Sequence, residues 1–464
     1  MSIKQKNGEA STIILVSIVQ FITPFMASGV SVALPTIGRH FSASAFQLGL
    51  AEMIYILGVS IFLLAAGQLA DIFGRKKIFL MGICGFIIST FAITATRSMG
   101  QFLLVRFVQG LSVSFIATTT FAILSSVVPR ERRGKSMGIV LAFVYAGLSA
   151  GPALGGFIVF QFNWHWLFVF AGLLASLALL LCLKTLKGEW WGSPEQKFDY
   201  RGCAVYMLSL SFLVVGVAGH TMVGGYAAAL VVAGIVGLSF FFWLETRVKS
   251  PMLDVRMIFA NRVLFFTVLA ALINYGASFA IIFFFSLYLQ SVKGLLPQVA
   301  GSVLILQTLV QCILSPLSGK LADKIYPGKI ATLGMFVGTI GLGMASLIEQ
   351  ESSVAMVALV FVVVGVGFGL FASPNMTIIM NSVPQEAYGQ ASSLTATVRT
   401  LGMLTSMAIA SLLVSHFMGD TPINKESIPL FMKSLQGAML TFTLMSLVGV
   451  FLSLGRAKAP TNEP

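Results

Sequence analysis

The feature that most limits this chain is a series of continuously apolar runs, of which Val354 to Ala372 is a clear case. Each run is roughly twenty residues long, the length a helix needs to cross hydrocarbon. Such a run has no polar face to turn to water, and it lacks the alternation of a transmembrane strand. In lipid the backbone must satisfy its own hydrogen bonds, which a continuous apolar run does as a helix. Composition agrees, because 57% hydrophobic against 10% charged residues leaves too little charge to wet the surface of a 464-residue soluble fold. The expected class is an all-α polytopic membrane protein.

Apolar segments fall near 12–36, 47–69, 78–96, 101–126, 137–160, 166–185, 202–219, 224–243, 263–289, 298–318, 329–348, 353–373, 388–415 and 433–455, which predicts fourteen transmembrane helices. An even number returns both termini to one side. With the N-terminus placed inside, inner loops and tails hold 22 of the 29 Lys and Arg residues, among them Arg75, Lys76, Lys77, Arg130, Arg132, Arg133, Lys135, Lys320, Lys324 and Lys329. Outer loops hold Arg39, Arg97, Lys293, Lys425 and Lys433, while Arg106 and Arg399 fall within spans. The positive-inside rule then places both termini in the cytoplasm, with the chain crossing the cell inner (plasma) membrane. The net charge of +13 is read as topology, and nucleic acid is not expected as a partner. Met1 to Ala10 reads as a polar tail, and Ile13 to Pro35 as a first span that is kept, not as a cleaved signal.

Cys84, Cys182, Cys203 and Cys312 lie in or beside apolar stretches without a CxxC pair, and read as small buried hydrophobes. His40, His165, His220 and His416 sit near outer ends, with His165 between Trp164 and Trp166 in an interface-type cluster. No metal or cofactor is expected. The connections are too short for a nucleotide-binding domain and there is no GxxxxGK[ST] loop, so energy, if used, would come from an ion gradient or from a partner. No nucleophile, base and orienting group share a recognisable arrangement, and an enzyme is not expected.

A faint repeat relates Gly67-Gln68-Leu69-Ala70-Asp71-Ile72-Phe73-Gly74-Arg75-Lys76 to Gly319-Lys320-Leu321-Ala322-Asp323-Lys324 through Lys329, each after the second helix of a six-helix block. Parallel repeats of this kind mark secondary transporters whose halves rock about a central site. The expected organisation is a six-helix bundle over 1–186, a two-helix insertion over 187–258 and a second six-helix bundle over 259–464.

With these residues in place, the sequence resembles the major facilitator superfamily, more narrowly its fourteen-helix drug:proton antiporter branch. The likeness spans nearly the whole chain. It rests on the Gly67 to Lys77 loop, on Arg106 with Gln109-Gly110 in helix four, and on Gly147 with Gly151-Pro152-Ala153-Leu154-Gly155-Gly156 in helix five. Trp164-His165-Trp166, Phe198-Asp199-Tyr200-Arg201-Gly202, Pro251-Met252-Leu253-Asp254, Pro374-Asn375 and Asn381-Ser382-Val383-Pro384 match as packing landmarks. The resemblance implies gating by Asp71, Gly74 and Arg75, with Asp323 as the weaker counterpart. It ties Arg106 to proton transfer and places the Gly151-Pro152 bend at the contact between halves of exporters. It also implies an aspartate in helix one, where this chain carries Met26.

Several residues carry chemistry of their own. Glu52 is the acidic side chain that falls inside an expected span, which makes it the candidate proton carrier; an outward-facing surface carboxylate is the alternative. Arg106 needs either such a partner or the backbone carbonyls of helix one. Asp71 could accept from a neighbouring helix terminus as an inner latch, or remain a solvated loop charge. Gly147, Gly151, Gly155 and Gly156 offer a flat helix face beside the Pro152 kink. A substrate cavity lined by Gln20, Met26, Tyr55, Gln109, Tyr145, Asn274, Tyr275, Gln307, Gln311 and Arg399 is expected, walled by some of the 39 Phe and 21 Met residues.

The expected activity is proton-coupled efflux of hydrophobic or amphipathic compounds by alternating access. The expected partners are the bilayer, protons and a small substrate, and the chain is expected to be a monomer. Uptake or exchange of a metabolite or organic anion is the alternative, followed by a receptor or scaffold that binds without flux.

Overall fold

A computed structural model describes residues 3–128, 130–186, 188–192, 195, 197–218, 224–248, 251–253, 255–322, 324–383, 388–419 and 421–456. Among them, fourteen helices are long and apolar enough to cross a membrane. They are α1 (Ile3–Phe41), α2 (Ala45–Phe73), α3 (Arg75–Thr94), α4 (Met99–Val127), α5 (Arg130–Gln161), α6 (Trp164–Thr185), α7 (Tyr200–Ala218) and α8 (Ala227–Glu245), followed by α9 (Arg262–Val292), α10 (Pro297–Ala322), α11 (Pro327–Ser346), α12 (Val354–Asn381), α13 (Tyr388–Met418) and α14 (Ile428–Leu454). Their outer faces carry large apolar side chains, such as Ile88, Leu104, Val236 and Phe451, each more than half exposed. A soluble protein would bury such a belt; here lipid covers it.

The helices end where local chemistry requires it. Ser44 and Gln47 form a reciprocal capping box at the start of α2. Gly74, with φ of 109°, turns the chain from α2 into α3 through backbone space that disfavours other residues. Ser44→Ala should lower stability by about 1 kcal/mol, read as an earlier thermal unfolding midpoint in detergent.

The packing repeats along the chain. In the first six helices α1 packs on α5 and α6, α2 on α4, and α3 on α4 and α6; in the last six, α9 packs on α13 and α14, α10 on α12, and α11 on α12 and α14. Small residues permit the close approaches, as where Gly58 of α2 faces the Phe107 carbonyl and Gly334 of α11 faces the Gly367 carbonyl. The pair α7 and α8 pack on each other, and α7 also touches α2 and α13. The two six-helix sets meet where α5 lies on α10, α2 on α13 and α1 on the second part of α9.

Helix α9 departs from the sequence expectation of one continuous span. It is α-helical over Arg262–Ser278, breaks at Phe279 and Ala280, resumes over Ile281–Leu287 and ends in a wider π turn over Tyr288–Val292. The Ser406 hydroxyl of α13 accepts from the Ala280 N–H and so satisfies one donor at the break.

Candidate functional site

The close approach of α2 and α4 creates the site. Gly58 and Gly110 lie where each helix meets the other's backbone: a methyl group at Gly110 would collide with the Tyr55 carbonyl, and one at Gly58 would sit 2.5 Å from the Phe107 carbonyl. Glu52 and Tyr55, three residues apart, share one face of α2, while Arg106 and Gln109 share the facing side of α4. The Arg106 Nη2 lies 3.8 Å from Glu52 Oε2, with side chains 0% and 1% exposed. Glu52 therefore faces neither lipid headgroups nor an open vestibule.

The surrounding groups hold this pair in place. The Ser31 hydroxyl of α1 donates to Glu52 Oε1 at 2.8 Å. Arg106 Nη1 donates to Gln109 Oε1 at 2.6 Å, and Gln109 Nε2 donates to Thr90 of α3 at 2.7 Å. The guanidinium also stacks over the Tyr55 ring, 4.2 Å from its centroid. Arg106 thus ties to side chains of α2 and α4, not to the carbonyls of helix one. Its Nε and Nη2, with Glu52 Oε2, make no hydrogen bond. An acid and a base able to carry opposite charges sit in a site without solvent exposure, with Arg106 Nη2 and Glu52 Oε2 held just beyond hydrogen-bond reach. A proton arriving on Glu52 would switch off one charge of a strongly interacting pair.

Met26, at the position of the family aspartate, is fully buried in the apolar core. Gln20, Gln307, Gln311 and Asn274 are buried, whereas Tyr145, Tyr275 and Arg399 are half-buried. Tyr145 from α5 and Tyr275 from α9 both lie within electrostatic reach of Arg399 on α13, which gathers groups from both halves. Asn274 Nδ2 and Gln307 Oε1 have no hydrogen-bond partner, so each retains capacity for a ligand. A gap of about 10 Å³ among Val19, Ile22, Thr23, Ile83, Phe86, Ile116 and Ala175 lies within the first bundle, and is apolar and too small for a substrate.

The helix-five motif splits between two contacts. Gly147, Gly151 and Gly155 face α1 at Phe21, Ser28 and Gly29; Pro152 and Gly156 face α10 at Gly301 and Pro297. One side of the motif packs within the first half and the other packs across to the second.

Asp71 pairs with Arg75 at 3.0 Å, one helical turn on, where the sequence suggested a neighbouring helix terminus. Arg75 also donates to Ser126 of α4 at 3.0 Å. The connection after α6 folds over this loop: the Arg75 N–H donates to the Trp190 carbonyl at 2.8 Å, the Lys76 N–H to Glu189 at 2.7 Å and the Gly192 N–H to the Asp71 carbonyl at 3.2 Å. Nothing in the motif pointed to Glu189 as its cap. Asp323, Asp254, Pro384 and His220 lie outside the described residues.

A lipid-facing bundle of fourteen helices, twelve of them in two repeated sets of six, with an acid–base pair sealed inside one set, defines a multi-pass membrane transporter. Residues 16–407 match the family description Major Facilitator Superfamily, and the chain belongs to that family. It is 28% identical over 396 residues to "Multidrug resistance protein Stp" of Mycobacterium tuberculosis, covering 84% of this chain and 73% of that protein. It is 26% identical to "Tetracenomycin C resistance and export protein" of Streptomyces glaucescens, over 88% and 76% of the two chains. It is also 26% identical to "Riboflavin transporter RibZ" of Clostridioides difficile, over 86% and 87%. Among solved structures, a bacterial homologue of the human lysosomal transporter Spinster, in an inward-facing and unoccupied conformation, superposes with a TM-score of 0.71 at 15% identity, covering 99% of this chain and all of that one.

Proposed function

We propose that this transporter exports hydrophobic or amphipathic compounds in exchange for protons, with Glu52 as the proton carrier. The observation that carries this reading is the sealed Glu52–Arg106 pair, since a membrane-embedded carboxylate beside a fixed cation changes the charge of its site with each proton it gains or loses. Coupling follows if protonated and substrate-bound forms favour opposite orientations, because a ligand moves a conformational equilibrium only through unequal affinity. Two similar proteins named for multidrug resistance and for resistance and export support the efflux direction. Pro152 and Gly156 of the helix-five motif, packed on α10 at the junction of the halves, support it as well. The proposed setting is a cell inner membrane with both termini cytoplasmic, and a monomer as the working unit.

The second reading is transport of a metabolite, supported by the likeness to a riboflavin transporter and by Arg399 between the halves. Reconstituted vesicles with an imposed pH gradient separate the two. Efflux of lipophilic compounds against their gradient, driven by protons moving the other way, is the expected result. Net uptake of a polar metabolite, or flux indifferent to the pH gradient, would overturn the proposal.

A further inference from the structure

Ser31 joins the proton site to the opposite half of the molecule through two different atoms. Its hydroxyl donates to Glu52 at 2.8 Å. Its carbonyl would ordinarily receive the N–H four residues on, but that residue is Pro35, which has none. The orphaned acceptor is instead met by the Ser286 hydroxyl of α9, at 2.6 Å. The neighbouring Val32 carbonyl accepts from Gln290 Nε2 at 2.9 Å, and Gln290 also donates to Ser286 at 3.1 Å. All of these groups are buried, and Gln290 sits in the π turn that ends α9.

We propose that Ser31, Ser286 and Gln290 form a latch between the halves, and that Ser31 makes the latch responsive to the charge on Glu52. This rests on Glu52 being the proton carrier. Ionised Glu52 accepts from Ser31 and holds α1 against α2, which seats the Ser31 carbonyl under Ser286. When Glu52 takes a proton it no longer needs that donor, and the Ser31 hydroxyl can turn to the Ala27 carbonyl of its own helix, already 3.4 Å away. Helix α1 is then free to tilt at Pro35, where its ladder has a gap. The groups around Glu52 leave few other titratable candidates. Helix α4 presents Arg106, α2 itself presents Tyr55, α13 presents the uncharged Ser411 near Gly49, and α3 contributes Thr90 through Gln109, while Tyr206 of α7 bonds the Ser60 carbonyl about two turns further along α2. Ser31, Ser286 and Gln290 are positioning residues: they touch no substrate and act through helix placement.

The test is a distance measurement that needs no substrate. Spin labels at Arg39 of α1 and Leu296 before α10, both exposed, would report the separation of the halves at this end in a cysteine-replaced background. The unaltered latch should show a short distance at high pH and a growing long-distance population at low pH. Ser31→Ala should abolish that pH response. Ser286→Ala with Gln290→Leu should shift the ratio of open to closed by about fivefold or more at both pH values, the effect of losing one or two net hydrogen bonds. Pro35→Ala, which returns an N–H to the Ser31 carbonyl, should weaken the short-distance population in the same direction. A pH response that survives Ser31→Ala, a short distance unchanged by the Ser286/Gln290 pair of changes, or no pH response with the latch intact would each overturn the latch. If the latch behaves as expected while vesicles show no proton-driven efflux, the efflux reading fails and the latch stands.

Discussion

In vesicles carrying a pH gradient, Glu52→Gln is expected to reduce gradient-driven transport by at least about tenfold, while exchange of labelled for unlabelled substrate without a gradient remains measurable. Gln keeps the shape of the side chain but cannot carry a proton, so the loss falls on coupling. The substitution also strands Arg106, fully buried, without its counter-charge. Breaking one side of a buried ion pair costs about 3–5 kcal/mol, so a fall in thermal stability should accompany the functional loss. Adding Arg106→Met should recover much of that stability without restoring the response to pH. The combination separates the two effects, because a purely structural pair would regain transport together with stability. Undiminished proton-driven flux in Glu52→Gln would remove Glu52 from the carrier role.

The spans were legible because lipid imposes a length and a polarity that single residues cannot hide. The break in α9 was not, since Phe283, Phe284 and Phe285 continue the apolar run beyond it and the acceptor for the freed Ala280 N–H comes from Ser406, more than a hundred residues away. Glu52 and Arg106 could each be singled out as ionisable groups in apolar helices, yet their meeting depends on Gly58 and Gly110 letting two backbones touch. Ser31 carried no signal: a serine in an apolar helix commonly bonds its own backbone, and only the fold shows Glu52 on one side and Ser286 on the other. For Asp71 the sequence held the answer in a simpler form than the one drawn from it, because Arg75 stands one turn away and takes the carboxylate locally. Glu189 was unreadable for the opposite reason, lying over a hundred residues from the Lys76 N–H it accepts from.

Adding a methyl group at Gly301 should cut transport by about tenfold or more, whereas the same change at Gly147 should chiefly destabilise the folded protein. Both glycines leave no room: a Cβ at Gly301 would collide with the Pro152 carbonyl, and one at Gly147 with the Phe21 carbonyl, so in each case a helix backbone has to move. The contacts differ in what they join. Gly147 seats α5 on α1 inside the first half, a contact that a rocking motion carries along intact. Gly301 seats α10 on α5 across the junction, where Pro152 and Gly156 form the other side. Close glycine-to-carbonyl contacts of this kind gain weak C–H···O attraction and dispersion only at short range, so separating the halves at Gly301 alters the balance between orientations directly. Gly301→Ala should therefore yield folded protein, with normal elution and substrate binding, whose flux falls by about tenfold or more, as expected when an equilibrium is displaced by about 1.4 kcal/mol or more towards one orientation. Gly147→Ala should instead lower the unfolding temperature and the yield, with the flux per folded molecule largely kept. A reversed pattern would mean that α5 moves against α1 and stays with α10, which would place the moving boundary within the first half.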